Sequence, residues 1–134
     1  MTDLILVDTN VILDVMDADS EWLDWSVDQM SAYPLRLVIN PLIYTELCYH
    51  AGQIDEVESI IGSLGLGYME LPRKALFLAA QAYKAYRRRG GEKTSPLADF
   101  FIGAHAQAEA FSLLTRDAAR YQTYFPGVSL IRPD

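Results

Sequence analysis

Cysteine is nearly absent from this chain. Cys48 is the only one, so no internal disulfide can form, which agrees with a reducing, cytoplasmic setting. Histidine is almost as scarce, with His50 and His105 alone, and no Cys/His cluster of zinc-binding spacing exists. Long hydrophobic runs are missing too. None approaches the roughly 20 residues of a membrane span, and Asp3 stands where a basic leader segment would begin. Neither membrane association nor secretion is therefore expected. There is no Gly-rich phosphate loop and no Ser-centred nucleophile elbow. No linker, repeat or low-complexity segment divides the 134 residues, which read as a single domain, 1–134, with enough apolar residues (51%) for a real core. A net charge of −7 argues against binding nucleic acid through bulk electrostatics, although it does not exclude a nuclease whose acids are gathered around cations.

What is present is an alternation of strands and helices. Leu4-Ile5-Leu6-Val7 is an unbroken aliphatic run, the pattern of a parallel strand buried on both faces, and it ends in Asp8-Thr9-Asn10. Asn10 is a suitable N-cap for the helix of Val11, Ile12 and Val15. Leu23, Val27 and Met30 mark a helical face, flanked by Trp22 and Trp25, which either fill the core or lie on a surface that another chain covers. Leu35 to Ile39 reads as a second strand. Asn40-Pro41, a capping side chain followed by proline, opens a helix that carries Glu46 one turn in. Another helix spans Ile54 to Leu64, and Tyr68 to Leu71 is a short third strand. The helix from Ala75 to Tyr86 ends in a basic cluster of Lys84, Arg87, Arg88, Arg89 and Lys93. That cluster is either a solvated helix end or a contact for phosphates. Ser95-Pro96 repeats the cap-plus-proline device and places Asp99 in the first turn of a helix whose small residues Gly103 and Ala106 allow close packing. Ser112 to Thr115 and Val128 to Ile131 are the last strands, with Asp117 at the start of the helix between them. The whole is an α/β fold, a parallel sheet with helices on both faces.

Four acids stand out by position: Asp8, Glu46, Asp99 and Asp117. In a parallel sheet, strand ends and helix starts share one edge, where ligands bind. Each aspartate beside a helix could equally be a cap. If the set converges, several negative charges share a few ångströms and need protons or cations to neutralise them. Carboxylates without Cys or His suit hard ions, Mg²⁺ or Mn²⁺, and such sites support phosphoryl transfer.

Asp8-Thr9-Asn10, Thr45-Glu46-Leu47 after Asn40-Pro41, Asp99-Phe100-Phe101-Ile102-Gly103-Ala104-His105-Ala106, and Leu114-Thr115-Arg116-Asp117 resemble the four signature blocks of PIN-domain ribonucleases, and among these the VapC-type toxins of type II toxin–antitoxin modules. The resemblance covers nearly the whole chain, in the expected order. It implies a three-layer α/β/α sandwich around a parallel five-stranded sheet and a Mg²⁺- or Mn²⁺-dependent endoribonuclease in which a metal-activated water attacks an RNA phosphodiester. Asp8 and Asp99 are then the main metal ligands, Glu46 and Asp117 complete the acidic pocket, and Thr9, Asn10 and Thr115 orient carboxylates or water. It further implies a cognate VapB-type antitoxin and a homodimer that joins it in a larger complex. Arg87, Arg88, Arg89 and Arg116 are the candidates for RNA contact.

His50, four residues after Glu46, could share its metal or simply meet the carbonyls of a helix end, whereas His105 and Cys48 read as packing residues. A haloacid-dehalogenase-like phosphatase would carry a second acid two residues after the first, where this chain has Asn10. A PIN-like module that binds RNA or a partner without a toxin role is the alternative; loss of an acid would mark a silent one, and all four are present.

Overall fold

The computed structural model describes residues 3–92 and 97–134. The Ser95-Pro96 helix start and Lys93 lie outside them. The elements follow one another as β1 (Ile5–Val7), α1 (Thr9–Met16), α2 (Leu23–Ser31), β2 (Leu37–Ile39), α3 (Pro41–His50), α4 (Ile54–Leu64), β3 (Gly67–Tyr68), α5 (Arg73–Arg88), α6 (Ala98–Glu109), β4 (Ser112–Leu114), α7 (Ala119–Tyr124) and β5 (Leu130–Ile131).

The five strands form one parallel sheet in the order β3-β2-β1-β4-β5, with Ile5 opposite Leu37 on one side and Val7 opposite Leu114 on the other. Ile5, Leu6 and Val7 are all buried, as are Leu37, Val38 and Ile39. Successive residues of a strand point to opposite faces, so burial of all three means that helices cover both sides. This is the parallel sheet with helices on both faces that the strand–helix alternation predicts. The order reverses at β1: the chain first builds outward through β2 and β3, then crosses back to lay β4 on the other side. A crevice at such a switch point, beyond the strands' carboxyl ends, is where α/β sheets bind ligands.

Local chemistry explains most element boundaries. Asn40 caps α3 as expected, its side chain accepting from the Ile43 N–H at 3.0 Å with Pro41 at the first helical position. Gly65 ends α4 in a left-handed conformation, φ +66°. β2 starts two residues later than the aliphatic run suggests because Leu35, at φ +64° and 96% exposed, belongs to the turn after Pro34. Two caps differ from the sequence reading. The N-cap of α1 is Asp8, which accepts from the Thr9 N–H at 2.8 Å, while Asn10 lies inside the helix. Ala118, and not Asp117, precedes α7. The tryptophans form an edge-to-face pair, Trp25 against the core and Trp22 outside it.

Helix α6 is held close by its small residues, although against a side chain and not the sheet itself. A β-carbon on Gly103 would lie 2.4 Å from the ring edge of Phe125, which is 2% exposed and has little room to move. Gly103→Ala is therefore expected to lower stability by about 1–3 kcal/mol through overpacking, despite alanine's better helix propensity. Urea unfolding checks this, and Phe125→Leu added to Gly103→Ala should recover part of the loss.

Candidate active site

The carboxyl ends of β1 and β4 meet in a cavity of about 220 Å³ lined by Asp8, Thr9, Asn10, Leu13, Glu46, Asp99, Asp117 and Tyr121. All four acids singled out in the sequence reach it. They arrive from separate elements: the end of β1, the second turn of α3, the first turn of α6 and the loop after β4.

Asp8 is the centre of the arrangement. Its backbone N–H donates to the Leu114 carbonyl at 2.9 Å, which pins it where the two central strands end. Its carboxylate, 5% exposed, accepts from the Thr9 N–H, from Thr115 Oγ1 at 2.8 Å and from the Tyr121 hydroxyl at 3.0 Å. Burial raises the Asp8 pKa from the usual 3.8 to about 7, with the charge of Asp99 adding to the rise while the Thr115, Tyr121 and Thr9 hydrogen bonds oppose it. Thr115 has a single hydroxyl proton, and the 2.8 Å contact assigns it to Asp8. Its oxygen is then free to accept from the Asp117 N–H at 3.0 Å and the Asn10 side-chain amide at 3.4 Å. Burial and the neighbouring acids hold the Tyr121 phenol well above its usual pKa, so it stays protonated and donates.

The other acids surround this centre. Glu46 is half-buried, accepts from Thr9 Oγ1 at 2.5 Å, and has its pKa raised by burial. Asp99 is raised by burial as well, although Arg120, whose Nη1 lies 3.0 Å away, counteracts the shift. Asp117 is exposed at the cavity's edge. Arg120 supplies a positive charge beside Asp99, and it lies over the rings of Tyr86 and Phe100.

Several residues fall outside the sequence expectations. Tyr121, Arg120 and Leu13 are not among the residues that the sequence singles out. Pairing across elements distant in sequence leaves no periodic signal. His50 does not join Glu46: its Nε2 lies 2.8 Å from Asp17 Oδ2 on the surface. His105 is fully buried, its Nδ1 3.0 Å from the Asn40 amide and its ring against Phe111, in keeping with a packing role. Arg116 turns its guanidinium to Asp14, whereas Arg87, Arg88 and Arg89 are exposed at the end of α5, Arg89 over the Tyr124 ring.

The donor set is oxygen throughout, carboxylates backed by hydroxyls and amides, which suits a hard divalent ion. Burial first, and the charge of neighbouring acids after it, raises the pKa of Asp8, Glu46 and Asp99, so a nearby cation would favour their ionised forms. In that chemical sense the residues fit Mg²⁺ or Mn²⁺. Among the described residues, no three Asp, Glu, His or Cys side chains are drawn into a group able to hold an ion as they stand.

Comparison with solved structures finds the same fold in proteins of toxin–antitoxin systems, among them the following three. A DNA-bound VapBC from Salmonella typhimurium has a TM-score of 0.75 at 18% identity, covering 98% of each chain. VapBC2 from Rickettsia felis, bound to a DNA fragment from its promoter, has a TM-score of 0.73 at 16% identity, covering 98% of this chain and 99% of that one. VapC20 from Mycobacterium tuberculosis, a sarcin–ricin-loop-cleaving toxin, has 0.67 at 13% identity, covering 96% and 99%. A comparison of the sequence with curated proteins finds no match. The PIN domain family model matches residues 5–126, from β1 through α7 and across all four acids, and the chain therefore belongs to the PIN domain family.

Proposed function

We propose that this chain is a VapC-type toxin, an endoribonuclease that depends on Mg²⁺ or Mn²⁺ and hydrolyses RNA phosphodiester bonds. One observation carries this reading: four carboxylates from four separate elements share one small cavity at the sheet's switch point, in a chain of the PIN domain family. A fold that only needed caps for its helices would have no reason to turn Glu46 and Asp99 inward at the desolvation cost their raised pKa values report.

The residues that would hold the ion are Asp8, Asp99, Glu46 and Asp117. A bound Mg²⁺ or Mn²⁺ supplies Lewis acidity, lowering the pKa of a water and neutralising charge at a phosphate. The protein's own part is orientation and charge. Thr115 and Tyr121 hold the Asp8 carboxylate from one side and the Thr9 N–H from the other, so its oxygens cannot swing. Thr9 does the same for Glu46. Such outer residues fix a ligand's direction in advance, before substrate arrives. Arg120, beside Asp99, is a cation within reach of the acidic cavity that a phosphodiester must enter. Arg87, Arg88 and Arg89 offer exposed positive charge for the RNA backbone, whereas Arg116, at the loop that bears Asp117, is only partly exposed and pairs with Asp14. By analogy with the toxin–antitoxin structures, a cognate antitoxin of the VapB type occupies the site, the toxin forms a homodimer within a larger complex, and it acts in the cytoplasm. No helix among the described residues is long and apolar enough to cross a membrane.

Two predictions follow from this site. With structured RNA and Mg²⁺, EDTA should abolish cleavage, and Asp8→Asn or Asp99→Asn should cost more than the roughly 10–100-fold that supporting residues such as Thr115 cost. The fragments should carry 5′-phosphate and 3′-hydroxyl ends. Cleavage that persists unchanged in both variants would overturn the assignment, and a protein that binds RNA without cutting it would point to a PIN-like binding module instead. The second prediction concerns pH. A carboxyl whose pKa is raised on folding contributes its full stability below the unfolded value and loses it as pH rises through the folded value, here between about pH 4 and 7. In metal-free buffer, Asp8→Asn should therefore gain stability relative to wild type as pH increases over this window, by at most about 4 kcal/mol. Chemical denaturation at pH 4.5 and pH 8 measures the difference; a gap that stays constant would show that Asp8 does not titrate there.

A further inference from the structure

Beside the acidic cavity lies an ion pair that the reaction as described leaves unused. Asp14, on α1, has a side chain only 2% exposed. It accepts two parallel hydrogen bonds from Arg116, Nε to Oδ2 at 2.7 Å and Nη2 to Oδ1 at 2.8 Å, and a third from Ser26 Oγ on α2 at 2.6 Å. The ring of Trp22 covers the guanidinium from one side, 5.1 Å from its carbon to the ring centre. Trp22 is itself placed by Asp19, whose Oδ1 accepts from the Glu21 and Trp22 N–H groups at 2.9 Å each. A bidentate, covered and largely buried pair has one geometry, unlike an exposed one.

Arg116 stands between Thr115 and Asp117. Its own backbone N–H donates to Asn10 Oδ1 at 3.2 Å, and the Asn10 amide reaches Thr115 Oγ1, which donates to Asp8. Asp117, in contrast, is exposed, and its N–H donates to Thr115 Oγ1. The loop after β4 is therefore anchored to α1 and α2 through the Arg116 side chain. We propose that Asp14 and Arg116 form a positioning pair, which sets Thr115 and Asp117 relative to Asp8 and spends the Arg116 charge on that task instead of on RNA. This rests on the ribonuclease reading given above.

The test compares Asp14→Asn, Arg116→Lys and the paired Asp14→Leu/Arg116→Met. The last keeps the volume and leaves no lone buried charge, so it folds where a single truncation fails. Steady-state RNA cleavage in Mg²⁺ is measured together with amide hydrogen exchange in metal-free buffer. A positioning pair predicts that each variant loses about 10–100-fold in kcat with little change in KM, that the paired variant is no worse than the poorer single one, and that the Thr115–Asp117 amides exchange faster while the strand amides do not. If Arg116 instead grips RNA, Arg116→Lys and the paired variant raise KM alone and Asp14→Asn leaves cleavage intact, which overturns the proposal. Should the wild-type protein fail to cut RNA, the ribonuclease reading falls, yet the exchange measurement still decides on positioning. Unchanged exchange at Thr115–Asp117 then overturns it, and faster exchange confined to that segment upholds it.

Discussion

The structure depends on keeping one carboxylate, that of Asp8, out of water at the point where the sheet changes direction. A charged group in such a place is costly, and the fold meets the cost with donors drawn from far apart in the chain: the Thr9 N–H, Thr115 and Tyr121. These hydrogen bonds do not bring the carboxyl back to its ordinary pKa. Stability is given up locally to keep this carboxyl buried, a pattern common where chemistry takes place.

That single demand orders the neighbouring elements. β4 must lie beside β1 so that Thr115 can reach Asp8, and α7 must follow closely enough for Tyr121 to do the same. Gly103 lets α6 lie against Phe125, which in turn follows α7 directly, so α6 and α7 come together with Asp99 and Arg120 on their facing ends. The aromatic group of Tyr83, Tyr86, Phe100 and Tyr124 fills the space behind that ion pair. Packing and electrostatics thus act on the same elements: the close contacts set where the charges stand.

Much of this was legible in the sequence because it is local. The aliphatic run ending in Asp8 announces a buried strand, Asn40-Pro41 announces α3, and the spacing of small and apolar residues announces α5 and α6. Position at a strand end or in a helix's first turns was enough to single out the four acids that line the cavity. The errors arose where two local readings compete. Aspartate and asparagine both cap helices, so Asn10 was assigned the role that Asp8 fills, and Asp117 was allowed a capping role that the structure gives to no side chain. His50 lies on the next turn from Glu46, yet which partner it meets depends on how α3 packs against the end of α1, where Asp17 waits.

The sequence by itself determined the kinds of elements, their order and the residues available for chemistry, since periodicity, caps and glycine stops are properties of neighbours along the chain. Only the tertiary structure decided which of those residues are partners. Arg116 shows the difference: as a cation next to Asp117 it reads equally well as a contact for phosphate, and its commitment to Asp14 follows from α1 and α2 lying alongside the β4 loop, 102 residues away in sequence. Arg120 and Tyr121 entered the site in the same manner. Long-range pairing is set by the crossover back to β1 and by the desolvation of Asp8, and neither is written in any one stretch of chain.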